Sequence, residues 1–218
     1  MSTIEFQPWP KIARLNRNIT ITEKIDGTNA AVVIVERDGE DESGHPAPVW
    51  YDNTYAVFAQ SRTRLITPEN DNYGFARWVK TNAEALVEIL GPGYHYGEWW
   101  GSGIQRKYGL TGNDKRFSLF NSARWNLDDD DICDSLATVP GLRVVPVLYE
   151  GPFSQSAIDE ALHELRYGGS CAEPDFDRPE GIVIYHQAAR QSFKVTLEGD
   201  EAPKGAAGHA LDTEKVAA

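Results

Sequence analysis

The sequence predicts an α+β domain with largely antiparallel sheets. Strand-like segments dominate the pattern, roughly two substantial helices are inserted among them, and no internal repeat divides the chain. The 218 residues suit one domain with a short appendage, and six Trp, nine Tyr and eight Phe suffice to fill a core.

Each element has its own signal. Asn18 to Lys24 alternates apolar and polar residues around Ile19 and Ile21, as a half-buried strand does. Asp26-Gly27 is a hairpin signal, with Ala30 to Val35 as the returning strand. Arg37 to Pro48 is polar, carries Gly39, Gly44, Pro46 and Pro48, and reads as a surface loop; Tyr55 to Ser61 reads as another strand. Phe75, Trp78, Val79, Leu86, Ile89 and Leu90 keep helical spacing. Asp71 or Asn72 can cap that helix, and Gly91-Pro92-Gly93 stops it. Short strands follow at Tyr94 to Trp99, Arg116 to Phe120 and Leu142 to Leu148, with a solvated helix start at Asp128 to Asp131. Ile158, Ala161, Leu162 and Leu165 give the second helix, Ser154 to Tyr167, one apolar face. Gly181 to Tyr185 and Ser192 to Leu197 are the last strands, and residues 199–218, rich in Ala, Gly and charge, read as a flexible tail.

Composition bounds the function. The longest uninterrupted apolar run, Ala30 to Val35, falls far below the ~20 residues a bilayer span needs, so no membrane role is expected. The first ten residues lack a signal-peptide core, and the only cysteines, Cys133 and Cys171, stand far apart, which fits a reducing cytoplasm. A net charge of −12 excludes a general nucleic-acid coat protein. It leaves room for an enzyme with local basic groups: Lys11, Arg14 and Arg17; Arg62 and Arg64; Arg106, Lys107, Lys115 and Arg116.

The chemistry concentrates in Glu23-Lys24-Ile25-Asp26-Gly27-Thr28-Asn29. Alone, this segment is also compatible with a surface hairpin carrying a solvated lysine. Read as a site, a strand end and a tight turn hold an amine at the floor of a nucleotide pocket. The amine attacks only when uncharged, so burial or a neighbouring cation must favour its neutral form. Five further segments follow in order: Ser61-Arg62; Gly97-Glu98-Trp99-Trp100-Gly101; Arg116 to Asn121; Glu180-Gly181-Ile182-Val183-Ile184-Tyr185; and Phe193-Lys194-Val195-Thr196.

In these segments the chain resembles the covalent nucleotidyltransferase superfamily, and within it the phage-type ATP-dependent RNA ligases of the RNA ligase 2 kind, from Pro8 to Thr196. The resemblance implies two largely antiparallel sheets with flanking helices, the nucleotide between them, and an adenylyltransferase domain over residues 1–198. It implies ATP and Mg²⁺ or Mn²⁺ as cofactors, AMP held covalently on Lys24, and RNA ends or nicks as nucleic-acid partners. Lys24 matches the adenylated lysine, and Glu23, Ile25 and Asn29 match positions around the nucleotide. Arg62 matches an arginine near ribose and phosphates, Glu98 the carboxylate on the ribose hydroxyls, and Phe120 the ring stacked on adenine. Glu180 matches the carboxylate linked to the divalent cation and the reacting lysine; Lys194 matches the lysine on the α-phosphate. Phe117 or Phe120 must in any case face the core, and Trp99 and Trp100 cannot share one side of a strand.

The pattern departs from the family at Ser192, where a second lysine is common, and at Asn121, where an aspartate is common. No OB-fold or helical C-terminal domain is expected after Lys194, so a protein partner that supplies an end-binding surface is a further expectation. The competing readings are a DNA ligase or capping-type nucleotidyltransferase, a non-catalytic nucleotide or nucleic-acid binding module, and a sugar-binding β-sandwich. Gly101-Ser102-Gly103 lacks the rest of a dinucleotide fingerprint, no Walker A loop is present, and the five histidines show no metal spacing, with a structural role expected for His186.

Overall fold

The computed structural model describes residues 4–37 and 47–199. Most of the expected 37–48 loop, and the tail from residue 200 onward, lie outside the described residues. Along the chain the elements are β1 (Asn18–Lys24), β2 (Thr28–Glu36), β3 (Trp50–Tyr51), β4 (Tyr55–Ser61), β5 (Leu65–Ile66), α1 (Phe75–Thr81) and α2 (Ala83–Leu90). Next come β6 (Gly93–Gly101), a 3-10 turn at Lys107–Gly109, β7 (Lys115–Leu119), α3 (Asp130–Ala137) and β8 (Leu142–Val144). The last are β9 (Val147–Pro152), α4 (Gln155–Gly168), β10 (Gly181–His186) and β11 (Gln191–Thr196).

The strands form two sheets with helices outside, which is the α+β architecture expected. The smaller sheet runs β11–β10–β1–β9 and is antiparallel throughout. The larger runs β3–β4–β2–β6–β7–β8, with β5 on β4, and its β7–β8 pair is parallel. Alternation decides which face of each strand is covered. On β1, Ile19 and Ile21 join Ile182, Ile184 and the α4 residues Ile158, Ala161 and Leu165 in one apolar cluster. Ser154 caps α4 by accepting from the Ala157 N–H. Beneath the larger sheet, Phe75, Val79, Leu86 and Leu90 from α1 and α2 pack on Val32, Ile34, Val57, Trp99 and Phe117. Trp99 thus faces this core, whereas Trp100 joins Ile25, Tyr108, Val145 and Phe176 in another; both are core residues.

Three expectations are corrected. β1 and β2 form no hairpin: β1 pairs with β9 and β10, and β2 with β4 and β6, so Asp26-Gly27 carries the chain from one sheet to the other. Gly27 is there for close approach rather than for a turn, since a Cβ would lie 2.5 Å from the Trp99 carbonyl oxygen. The helix expected over 75–90 is two, broken at Asn82, whose backbone N–H and side-chain amide both donate to the Trp78 carbonyl, the amide at 2.8 Å. Gly74 occupies the cap position, and Asp71 reaches the first turn from outside it, accepting from the Ala76 and Arg77 N–H groups. The strand expected over 142–148 splits into β8 and β9 at Val145-Pro146, where the chain again changes sheets. Asp129, Ser154 and Gly91 end or begin helices as expected.

Candidate active site

The two changes of sheet leave a cleft of about 740 Å³ between the sheets. Thr20, Thr22 and Lys24 of β1, with Val183, Tyr185 and Ser192, line one wall. Tyr94, Tyr96, Glu98 and the Leu119 to Trp125 segment line the other, and Ile25 and Val145 border it where the chain crosses between sheets. A wider groove of about 910 Å³ opens beside Trp78 and Trp99 and contains none of the expected site residues.

Lys24 is the last residue of β1, opposite Gly181 in the register, and period two turns it to the same side as Thr20 and Thr22. Its Nζ contacts the Glu180 carboxylate, which enters from the residue just before β10; both side chains are about one-fifth exposed, at 23% and 18%. Across the cleft, Glu98 accepts the Gly27 N–H at 3.1 Å. Burial pushes the Glu98 carboxyl up to about 7, against the opposing pull of the Lys24 charge. One amine and two carboxylates therefore meet at one end of the cleft: Lys24 from the end of β1, Glu180 from just before β10, and Glu98 from within β6.

The other expected residues divide. Ile25 is buried and borders the cleft. Asn29 pairs in register with Glu98, on the same sheet face. Phe120, 40% exposed, lines the cleft just past β7, while Phe117 lies in the core. Glu23 also borders the cleft, but its carboxylate is buried and accepts from Ser170 Oγ and the Cys171 and Ala172 N–H groups. Burial raises its carboxyl against those three bonds. Lys194 stands opposite Val183 in the sheet, on the face that lines the cleft, and is exposed; Arg62 follows β4 and is exposed outside the lining. Ser192 and Asn121, the two departures, both line the cleft, and Asn121 Oδ1 accepts the Arg124 N–H in a turn. His186 is structural: its Nδ1 accepts the Ala189 N–H while Nε2 bonds the Leu15 carbonyl.

The family model for RNA ligases matches residues 17–196, which takes in every one of these residues. The chain belongs to the RNA ligase family. Comparison with curated protein sequences returns no match. Among solved structures, this RNA ligase family member is similar to mutant forms of Naegleria gruberi RNA ligase. One, with AMP and Mn, has a TM-score of 0.54 at 18% identity, covering 84% of this chain and 50% of that one. Another, with ATP and Mn, has a TM-score of 0.52 at 19% identity, covering 83% and 49%. An apo form gives 0.53 at 18% identity, covering 83% and 50%. At such identity the likeness is one of fold, and the chain spans about half the length of these relatives.

Sequence reasoning missed several residues that line or brace this cleft. Tyr94 and Tyr96 share the Glu98 face of β6, and strict alternation back from Glu98 carries that signal. Thr20 and Thr22 follow in the same way from Lys24. Arg106 and Tyr108, which hold Asp26, had no local signal, because they approach it from 80 and 82 residues away.

Proposed function

We propose that this chain is an ATP-dependent RNA ligase that forms a lysyl-AMP intermediate, transfers AMP to a 5′-phosphate end and joins that end to a 3′-hydroxyl. The supporting observation is the contact of the Lys24 amine with Glu180 at the end of a cleft whose opposite wall presents Glu98 and Phe120. Naegleria gruberi RNA ligase, solved with ATP and Mn and with AMP and Mn, supports ATP and a divalent ion as cofactors here.

In the first step Lys24 gives up a proton, for which Glu180 is the nearest acceptor. Its Nζ then bonds to the α-phosphorus as the bond from that phosphorus to the β-phosphate bridging oxygen breaks and pyrophosphate leaves. A 5′-phosphate oxygen next takes the AMP from Lys24 and frees the amine. A 3′-hydroxyl finally attacks the activated 5′-phosphate, loses its proton and expels AMP. Glu98 accepts from the ribose hydroxyls, Phe120 stacks on adenine, and Arg62 and Lys194 bind phosphate oxygens. Glu23 and Ile25 border the nucleotide, and Asn29 stands beside Glu98.

No group of three or more candidate metal ligands exists among the described residues. A single carboxylate, Glu180, suits Mg²⁺ or Mn²⁺ that draws its remaining ligands from phosphate oxygens and water. When bound there, such an ion neutralises phosphate charge during displacement. Residues 1–198 form the adenylyltransferase unit in this reading, RNA ends or nicks are its substrates, and a protein partner supplies further end-binding surface. Cys133 and Cys171 are both free thiols, which supports the cytoplasm as its compartment. No helix among the described residues is long and apolar enough to cross a membrane.

Incubation with ATP and Mg²⁺ followed by intact-mass measurement tests the first step. An adduct of about 329 Da located on Lys24 is the expected result, and an unmodified chain or an adduct elsewhere overturns the assignment. Nicked RNA, DNA and hybrid duplexes, offered with ATP and with GTP, then separate RNA ligation from DNA ligation and capping.

A further inference from the structure

The sheet that carries Lys24 and Glu180 stops at them. Its β1–β10 ladder ends at the Lys24–Gly181 pair, so Glu180 and Asp26 both lie beyond the last rung. Arg106 bridges that gap. Its Nε donates to Asp26 Oδ2 at 3.2 Å, and its Nη1 donates to the Arg178 carbonyl at 2.9 Å and the Pro179 carbonyl at 3.3 Å. One guanidinium therefore ties the residue two past Lys24 to the two residues just before Glu180. Tyr108 holds the same point from the backbone: its hydroxyl accepts the Asp26 N–H at 2.9 Å, and its buried ring packs on Trp100 and Phe176. Burial raises the Tyr108 hydroxyl well above the usual phenol range, so it stays neutral.

The segment that delivers these two side chains is strained. Gln105, Lys107 and Tyr108 have φ of 42°, 62° and 51°, the left-handed region that glycine tolerates and other residues rarely adopt. Such residues persist where their surroundings over-determine them, and they collect at functional sites. Here the surroundings are the Asp26 backbone, its carboxylate and the approach to Glu180.

We propose that Arg106 is a positioning residue, and that the Gln105–Tyr108 turn is a clamp which holds the Lys24 loop in register with Glu180. The proposal rests on the reading of Lys24 as the nucleophile. The clamp fixes the amine within reach of its carboxylate, where a shift of about 1 Å costs on the order of 100-fold in rate.

The test is the rate of AMP capture by Arg106→Ala and Arg106→Lys, read by intact mass at saturating ATP and Mg²⁺. ATP half-saturation and melting temperature are measured alongside. Arg116→Ala is the comparison: Arg116 pairs with Glu173 and Asp114 and lies over Trp100, the ring that packs on Tyr108, without touching Asp26. Arg106→Ala should capture AMP about 100-fold more slowly with little change in half-saturation. Added guanidinium ion should restore part of that rate. Arg106→Lys should fall between, and Arg116→Ala should keep the wild-type rate. A wild-type rate in Arg106→Ala overturns the clamp; so does an equal loss in both alanine variants with no rescue by guanidinium ion. Should Arg106→Ala not fold, Arg106→Lys and Tyr108→Phe decide: wild-type behaviour in both sinks the proposal, and slowed capture at unchanged half-saturation supports it. Wild-type protein that takes up no AMP removes the ligase reading itself, an outcome distinct from failure of the clamp alone.

Discussion

The two ends of the cleft are built in opposite ways. At the nucleophile end the charged groups have protein partners: Lys24 with Glu180, Glu98 with the Gly27 N–H, and Asp26 with Arg106, while Tyr108 holds the Asp26 N–H. At the other end, Tyr94, Tyr96, Phe120 and Tyr185 are 40–61% exposed, and Tyr94 and Tyr96 stack on one another rather than on the core. The difference follows from what each end has to hold. Phosphate chemistry needs charges fixed before the reactant arrives, because a group that must reorganise loses its advantage. A flat base needs open ring faces, and those tolerate small displacements. Substitutions that disturb the hold on Lys24 should therefore lower rates, and substitutions at the second end, or at Glu98 where the ribose is to be held, should lower affinity.

The largest effect expected is at Lys24. Lys24→Ala should abolish covalent AMP capture altogether, while leaving non-covalent nucleotide binding measurable by calorimetry; any adduct in that variant breaks the comparison. Gly27→Ala comes next. The added Cβ would lie 2.5 Å from the Trp99 carbonyl oxygen and 2.8 Å from the Trp100 Cβ, and both are parts of a buried strand that cannot yield cheaply. Destabilisation of about 1–3 kcal/mol, seen in thermal melting, should accompany a loss of capture of about 100-fold. Normal capture in a merely less stable protein would mean the crossing is not part of the rigid end.

How much of this was legible in the sequence follows the same division. The strand carrying Lys24 was legible because Ile19 and Ile21 alternate with Thr20, Thr22 and Lys24 over a buried face. The Ser154 cap and the Gly91 stop were legible because their signals are local. The family segments placed Glu98, Phe120 and Glu180 at the cleft or on Lys24, although nothing in their own neighbourhoods required it. Asp26-Gly27 was misread because a turn dipeptide and a close-contact dipeptide look alike; only Trp99 and Trp100, more than seventy residues on, tell them apart. The break at Pro146 was visible as a proline, yet the exchange of partner sheets there depends on Glu23 donating its N–H to the Pro146 carbonyl. Pairings of that kind have no signature in a single sequence.

Glu98 sharpens the comparison through pH. With its carboxyl held up at about 7, the side chain is largely protonated below that pH and ionised above it. The ionised form is the better acceptor for two ribose hydroxyls, so ATP affinity should rise as pH passes through about 7. Folding stability should run the other way. The folded pKa lies above the ordinary value of 4.5, so the folded state holds the proton more tightly, and stability declines as pH rises from about 4.5 through about 7. Glu98→Gln should flatten both trends near pH 7, bind ATP more weakly and, without nucleotide at pH 8, melt higher than the wild type. Melting in the opposite order would show that the carboxyl is not held up by burial.

The smallest effects belong to the open end, and they should fade along one strand. Phe120 lies beside Tyr96, donating its N–H to that residue's carbonyl at 3.0 Å, whereas Tyr94 stands a further two residues from Glu98 and is 61% exposed. A base–aromatic contact is worth about 1–3 kcal/mol, so Phe120→Ala should raise the ATP concentration for half-maximal AMP capture about tenfold. Phe120→Tyr keeps a ring face and should stay near the wild-type value. Tyr94→Ala removes a ring beyond the reach of a nucleoside held at Glu98, so its shift should stay within about twofold. In all three the capture rate at saturating ATP should match the wild type, because no partner of Lys24 is touched. A Phe120→Ala protein with normal half-saturation but a slowed maximal rate would place that ring among the fixed groups, and the contrast between the two ends would no longer hold.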